Sequence, residues 1–431
     1  MQFSEINNRP ILCIYSASQT YTSTVFEHIK SFGKYSYFNW WYLDNMKFEK
    51  LHLDLSTFSA IVVHYSVRLP FAEISSKNIK TFKKFSGLKV LFIQDEYDNT
   101  NLTKKIIKEI RFNLVFSVVP KKSLIKIYPP EEFPNTRFMS NFTGYAPDNF
   151  STLVSKLIPP SKRLITIGYR GRSLPIRYGK LGQEKINIGI GVKDYCKKKK
   201  FSCDIAWQDH SRIYGSKWYR FISKTKAMLG TESGSNVFDW DGKLQSQIDS
   251  FKKNYPASSP TKIYDHIIKP REIDGLMNQI SPRIFEMAAC KTVMILFEGR
   301  YSDVIFPYEH FMPLKKDFSN LDQIFEFLSD ANEVDAMANR AFRDLIESGA
   351  YSYKKFVSEV DDEIKNNLCY SNTNLPPIAY PIKLHQEITK IPREARPALR
   401  YDPWLNKLLL LAWSLVPTKI RPFIKRLLGR V

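Results

Sequence analysis

The chain has 431 residues, enough for two or three domains of ordinary size. Hydrophobic residues make up 43% of it and charged residues 25%, values that exclude wholesale disorder. The net charge of +21 is the outlier and points to an anionic partner: nucleic acid, a membrane surface or phosphorylated substrates.

The first part alternates strand and helix patterns. Ile11 to Tyr15 reads as a strand, Thr24 to Phe32 as a helix, Ala60 to His64 as a strand and Ile79 to Phe85 as helical. Lys89 to Ile93 is a further strand, ending in the acidic tip Gln94-Asp95-Glu96-Tyr97-Asp98. Thr103 to Ile110 and Leu114 to Val118 add one more helix and strand. This alternation predicts a doubly wound parallel sheet, whose ligands sit at the carboxyl ends of the strands. Ser18, Gln19, His64, Asp95 and Glu96 then share one rim. His64 fits a rim or a core position, and Asp95 an ordinary loop carboxylate or a base.

A break at Leu157-Ile158-Pro159-Pro160 precedes a second α/β pattern. Arg163 to Ile167 reads as a strand, followed by "GYRGRSLPIRYGKLGQEK" as a basic, glycine-bearing loop. "KKKKFSCDIAW" carries a helix end and a strand, Ala227 to Gly230 a short strand, and Leu244 to Arg271 a long charged middle. In "SPRIFEMAACKTVMILFEG", residues 281 to 299, Ser281 is an N-cap and Pro282 the first helical position. The helix feeds a buried strand from Thr292 to Phe297. It carries Arg283 and Glu286 among apolar neighbours, and such a glutamate is costly unless paired or used. A salt-bridged surface carboxylate and a ligand contact both satisfy that condition. Ser319 and Asp322 have the spacing of a capping box for the next helix. No internal repeat of the length that marks a solenoid is visible.

From about Thr373 the chain turns proline-rich and then basic, with nine Lys or Arg from Pro392 onward against Glu394 and Asp402. "YDPWLNKLLLLAWSLVPTKIRPFIKRLLGRV" sets Ile420, Phe423, Ile424, Leu427 and Leu428 on one helical face, with Lys and Arg mostly on another. That pattern describes an in-plane membrane helix, or a helix docked on its own core. The run Leu408 to Val416 is far shorter than the roughly 18 residues a spanning helix needs. The five cysteines form no CxxC pair and no secretory signal opens the sequence, so reduced thiols in a cytoplasm are expected.

"IGYRGR", "LGTESGSNVFDWDG", "SPRIFEMAACKTVMILFEG", "PLKKDFSNLDQIFEFLSD" and "YSYKKFVSEVDDEI" occur in an order that resembles the donor-binding half of bacterial nucleotide-sugar glycosyltransferases of the GT-B fold, the group 1-like enzymes of surface polysaccharide synthesis. The resemblance covers roughly residues 160 to 368. It implies two Rossmann-like doubly wound domains facing across a cleft: an acceptor domain at 1–158 and a donor domain at 159–348. A helix at 349–372 would return to the first domain, and 373–431 would form the basic amphipathic tail. The implied activity is sugar transfer from a nucleotide-sugar to a lipid-linked or surface-glycan acceptor at the inner membrane face, with no metal and no cofactor.

By the same resemblance Glu286 accepts ribose hydroxyls through its two oxygens, while Ser281, Arg283 and the helix N-terminus meet the diphosphate. Gly168, Arg170, Gly171 and Arg172 form a phosphate-facing loop, or else a merely basic surface loop. Glu232 resembles a donor-sugar contact or a catalytic carboxylate, with turn capping as the alternative. Asp95 or Glu96 is the candidate base if transfer inverts, and Ser18, Gln19 and His64 lie on the acceptor side. The sequence departs from the family at Asn278, eight residues before Glu286, where many relatives carry a second glutamate. That departure keeps open a nucleotide-binding scaffold without catalysis. The charge alone also admits a nucleic-acid-binding protein, but no zinc-finger, RNA-recognition or helix-turn-helix pattern is present, so no nucleic-acid partner is expected.

Overall fold

The computed structural model describes residues 9–51, 53–148, 150, 157–371 and 385–395. The amphipathic stretch expected at 401–431 lies outside these residues. Two all-parallel sheets organise the rest. The first holds β1 (Ile11–Tyr15), β2 (Trp40–Asp44), β3 (Ala60–Val63), β4 (Leu88–Ile93), β5 (Leu114–Ser117) and β6 (Arg137–Ser140) in the order β2-β1-β3-β4-β5-β6. The second holds β7 (Ile165–Arg170), β8 (Cys203–Ala206), β9 (Thr225–Gly230), β10 (Val293–Phe297) and β11 (Met312–Leu314) in the order β11-β10-β9-β7-β8. Both sheets reverse direction beside their first strand, which makes them doubly wound, as expected for the GT-B arrangement. β1, β3, β4 and β10 are buried along their whole length, the pattern of parallel strands covered by helices on both faces.

The first sheet is flanked by α1 (Ser23–Tyr35), α2 (Ser76–Lys84), α3 (Thr100–Ile110) and α4 (Lys121–Ile127). Around the second lie α5 (Gly179–Lys199), α6 (Ser216–Ile222), α7 (Leu244–Asn254), α8 (Pro282–Ala289), α9 (Leu321–Ser329) and α10 (Ala331–Phe342). The last described helix, α11 (Tyr353–Ser371), leaves the second unit and packs on the first. Its Tyr353, Phe356, Val357, Val360 and Ile364 join Phe32 of α1 and Phe92 of β4 in one core.

Three local readings are corrected. The segment after Gly171 is not one long loop: from Gly179 it is a 21-residue helix. Its glycines mark close packing. A Cβ at 189 would lie 3.2 Å from the Tyr169 ring, and one at 191 would meet the Phe318 ring at 2.4 Å. The capping box before α9 does not form, because Asn320 occupies the N-cap and Asp322 pairs instead with Tyr195 and Lys199. The strand expected from Arg163 begins at Ile165 and runs to Arg170, so Gly168 and Arg170 are strand residues. A Cβ at 168 would lie 2.6 Å from Thr225 Cγ2, so this glycine serves sheet packing.

β2 and β6 went unrecognised in the sequence. β2 is the edge strand "WWYLD", and residues 388–390 cover it: the Tyr42 and Thr389 backbones exchange bonds of 2.8 and 3.0 Å. The charged middle folds as α7 and a helical segment at 260–268 around Ile248, Ile263, Ile267 and Ile268. The residues just ahead of it reach across to the first domain. Asn99, which precedes α3, makes no side-chain cap; the Thr100 and Asn101 amides donate instead to the carbonyls of Asp239 (3.1 Å) and Trp240 (2.9 Å). The second domain thus satisfies two N-terminal N–H groups of a helix in the first. Among the described residues no helix is long and apolar enough to cross a membrane.

Arg163, ahead of β7, is buried and forms no ion pair among the described residues. Its guanidinium donates to the carbonyls of Ile158, Thr225 and Cys290 and to Thr292 Oγ1 at 2.6–3.0 Å. Burial lowers its pKa to about 10. Arg163→Leu leaves these buried acceptors unpaired, and about 3 kcal/mol of stability or more should be lost. Denaturant titration checks this; a change within about 0.5 kcal/mol, the range of an ordinary surface substitution, would place the guanidinium outside the structural framework.

Candidate functional site

The carboxyl ends of the two sheets face each other, and the loops after β1, β3 and β4 oppose those after β7 and β9. The cleft has two connected compartments, of about 640 Å³ and about 430 Å³. Gln94, Thr143, Gly171, Arg172, Ser281 and Arg283 line both. Asp95, Asp98, Lys185 and Gln279 line the larger one, while Gln19, Thr24, Trp218 and Glu286 line the smaller.

Three cations converge on the second domain's wall. Arg172 is exposed in the loop after β7 and makes no hydrogen bond or ion pair among the described residues. Gly171 before it sits where a Cβ would lie 2.8 Å from the Lys185 carbonyl, so only glycine lets α5 approach this closely. Lys185 donates to the Glu232 carbonyl (3.3 Å) and Ser233 Oγ (3.2 Å). Burial pushes its pKa down to about 8; the nearby positive charges of Arg283 and Arg172 push the same way, while Glu184 opposes. Arg283, at the start of α8, donates to the Arg170 carbonyl and lies over the Trp218 ring at 5.2 Å. Ser281 caps α8, its Oγ accepting from the Arg283 amide at 3.4 Å.

Arg170 serves this wall from behind. Its guanidinium pairs with Asp204 at 2.8 Å, donates to the Asp204 and Tyr169 carbonyls, and stacks on Phe221 at 4.2 Å. Lys185 was not singled out in the sequence because its segment read as a loop; helical periodicity from Gly179 onward is the signal that aims it at the cleft.

Glu286 is buried on α8. Its Oε2 accepts from Trp218 Nε1 at 2.6 Å, and its Oε1 lies 3.5 Å from Thr24 Oγ1 of the first domain. Burial raises its pKa, while Trp218, Arg283 and Thr24 pull it back. The sequence reading had both oxygens open to a ligand; one of them already holds an indole N–H. Glu232 is further committed: its carboxylate accepts from the Tyr301 amide at 2.8 Å and from Asn278 Nδ2 at 2.5 Å. Asn278 thereby acquires a physical reason, since a glutamate there would set two carboxylates against each other.

On the first domain's wall Asp95 and Glu96 diverge. Asp95, with φ of 60°, lines the cleft and accepts from Tyr97 O–H at 2.7 Å. Burial raises its pKa against the pull of Tyr97, Arg68 and Arg172. Asp98 sits beside Arg177 (3.3 Å) and Tyr178 O–H (3.2 Å) of the other domain, and burial raises its pKa to about 6. Glu96 is fully buried and accepts from Ser117 Oγ at 2.5 Å. Burial raises its pKa to about 8.

His64 is likewise withdrawn. Its Nε2 lies 3.0 Å from His28 Nδ1, its Nδ1 accepts from the Ser66 amide at 3.0 Å, and burial pushes both imidazoles down. Gln19 lines the smaller compartment, whereas Ser18 is exposed and lies 3.0 Å from Ser16 Oγ. Glu309, His310 and Asp344 bring ligand-type atoms within 4.8 Å of one another. Both imidazole nitrogens are already engaged there, with the Phe306 amide and with Asp344.

The sequence matches no family model and no curated protein. Among solved structures the chain is similar to an alpha-glucosyltransferase in complex with UDP and DNA, at 12% identity and a TM-score of 0.48, covering 83% of this chain and 99% of that one. It is similar to a UDP-2-fluoro glucose complex from E. coli described as trehalose-6-phosphate, at 9% identity and 0.45, with the same coverage. It is also similar to S. aureus TarM, at 15% identity and 0.40, covering 74% of this chain and 58% of that one.

The Glu96 carboxyl generates a prediction of pH dependence. Its folded pKa of about 8 stands above the ordinary 4.5, so the folded state keeps a proton that the unfolded state releases. Stability should therefore fall as pH rises from about 4.5 to about 8. Glu96→Gln, which cannot ionise, should make that fall shallower in denaturant titrations across the window. An unchanged slope would show that Glu96 does not hold its proton in the folded protein.

Proposed function

We propose that the chain is a glycosyltransferase that binds a nucleotide-sugar between its two domains. The observation that carries this reading is the convergence of Arg172, Lys185 and Arg283 on one wall of the cleft, with Arg283 reaching from there to the Glu286 carboxylate of the adjoining compartment. Three cations and the N-terminus of α8 suit a diphosphate, and a carboxylate with one oxygen held only by the long bond from Thr24 suits a ribose hydroxyl. In the transfer the bond from the anomeric carbon to the phosphate oxygen breaks and one to the acceptor hydroxyl oxygen forms. The departing diphosphate gains negative charge, which Arg172, Lys185 and Arg283 offset without a metal ion. The acceptor proton passes to Asp95 if transfer inverts, or to the departing phosphate if it retains. Asp95, raised by burial and exposed to the cleft, has the character of a base.

The acceptor is a lipid-linked or surface glycan at the inner face of the cytoplasmic membrane. The basic, amphipathic composition of 401–431 supports this, and so does the path of the chain towards it. Residues 385–395 run along the first domain to the cleft: the Thr20 hydroxyl donates to the Arg393 carbonyl at 2.9 Å and accepts from the Ala395 amide at 2.8 Å. Gln19 and Tyr21, on either side of Thr20, line the smaller compartment. Ala395, the last described residue before that stretch, therefore lies beside the smaller compartment.

Calorimetric titration with UDP, GDP, ADP and CDP tests the donor site. One of them should bind, and its affinity should fall as pH rises through about 8, where free Lys185 loses its proton. Lys185→Arg should remove that fall, and Lys185→Ala should cost roughly 1.5–3 kcal/mol of binding. Binding by none of the four overturns the reading.

Deletion of 401–431 tests the membrane surface. The truncated protein should stay in the supernatant with anionic vesicles that sediment the full chain, at about 1 kcal/mol per basic residue near the surface. Its nucleotide affinity should not change. Equal sedimentation of the two proteins would remove the tail from membrane attachment.

A further inference from the structure

We propose that Trp218 is a positioning residue for donor recognition, its indole N–H holding the Glu286 carboxylate so that the remaining oxygen meets a ribose hydroxyl. The inference rests on the donor reading above and adds the element that makes the site selective for a ribonucleotide.

Trp218 lies on α6, one strand and a long connection away from α8, and is 7% exposed. Three contacts converge on its ring. Nε1–H donates to Glu286 Oε2 at 2.6 Å. Arg283, one of the three cleft cations, lies over its face at 5.2 Å. Phe221 sits 5.8 Å away at an interplanar angle of 30° and carries Arg170 on its own face at 4.2 Å. Arg283 also donates to the Arg170 carbonyl, so the two arginines and two rings form one closed support.

A buried carboxylate needs its lone pairs engaged in fixed directions, and an indole offers a single rigid donor with no acceptor to compete. With Oε2 so held, Oε1 is left on the side of the compartment that Glu286 lines with Trp218, Arg283 and Thr24, and among the described residues its one hydrogen bond is the long one from Thr24. Among the influences that oppose the burial raising the Glu286 pKa, the Trp218 bond is the largest. The side chain thus orients both the anion and a cation of the site without itself having to touch the sugar.

The experiment compares the full chain with Trp218→Phe and Glu286→Gln. Each is titrated with whichever of UDP, GDP, ADP and CDP binds the native protein, and with its 2′-deoxy and 3′-deoxy forms. The native protein should prefer the ribonucleotide over at least one deoxy form by about tenfold or more, as expected for a hydrogen bond to a charged group. Trp218→Phe should bring that preference close to unity while leaving the affinity for the disfavoured deoxy form nearly unchanged. A purely space-filling Trp218 would weaken all three ligands equally, and that result overturns the proposal. So does Trp218→Phe with the native preference intact. If the phenylalanine variant melts early, benzothienylalanine at position 218 keeps the indole's shape while replacing N–H with sulfur, and the same ratio is read from it. The donor reading itself fails if the native protein binds no nucleotide. If Glu286→Gln loses the preference and the Trp218 variants keep it, the donor reading stands and the positioning role falls.

Discussion

The cleft exists because α11 crosses back. Two doubly wound domains joined only by a short linker would have no fixed relation, and their strand ends would not oppose one another. Tyr353, Phe356, Val357, Val360 and Ile364 bury an apolar stripe against α1 and β4 of the first domain, with the Phe356 ring stacked on Tyr145 at 4.4 Å. Each such side chain contributes about 1.5–3 kcal/mol when fully buried, enough together to hold the second domain in register. On another side, the carbonyls of Asp239 and Trp240 cap the open N-terminus of α3, so the insertion between β9 and α8 acts as a second tie. The contact between Thr24 and Glu286 depends on both.

Burial then sets the chemistry of the facing walls. It lowers Lys185 to about 8 and raises Asp98 to about 6, while Asp95 is raised as well. These shifts follow from removing charged groups from water, and specific neighbours offset them in part. Groups brought close to neutral pH in a shared cleft suit proton and phosphate chemistry better than groups held in bulk solvent would. The cations lie on one domain and Asp95 on the other, so the packing of the two domains is what brings these groups into one cleft.

Several residues whose types suggested chemistry are instead parts of the framework. His64 and His28 share a bond inside an aromatic cage, Glu96 sits beneath the rim, and Arg170 is committed to Asp204. Glu232 joins the loops that carry Asn278 and Tyr301. Each is a polar group whose burial is costly unless partners are supplied, and the fold supplies them. The Asn278 departure belongs here too, because an amide there donates to Glu232 where a carboxylate would repel it.

Much of the fold was legible in the sequence. The alternation of apolar runs with helical patterns predicted one doubly wound parallel sheet and a second α/β unit, because strand burial and helix periodicity are written locally, and the family resemblance implied that the second was doubly wound too. Ser281 and Pro282 announced the start of α8, and Arg283 and Glu286 stood out as charges on an apolar helix. The edge strands β2 and β6 escaped notice because neither follows a clear period, and the first turns of α5 read as a loop because their glycines weaken the helical signal. Which side chains face the cleft was decided by tertiary structure alone. Asp95 and Glu96 are adjacent in the chain, yet a left-handed residue at 95 leaves one on the cleft wall and the other in the core. Trp218 and Glu286 are 68 positions apart, and only the docking of α6 beside α8 joins an indole N–H to a carboxylate. Sequence period determines which face of an element is apolar; the meeting of two distant polar groups depends on how the elements pack.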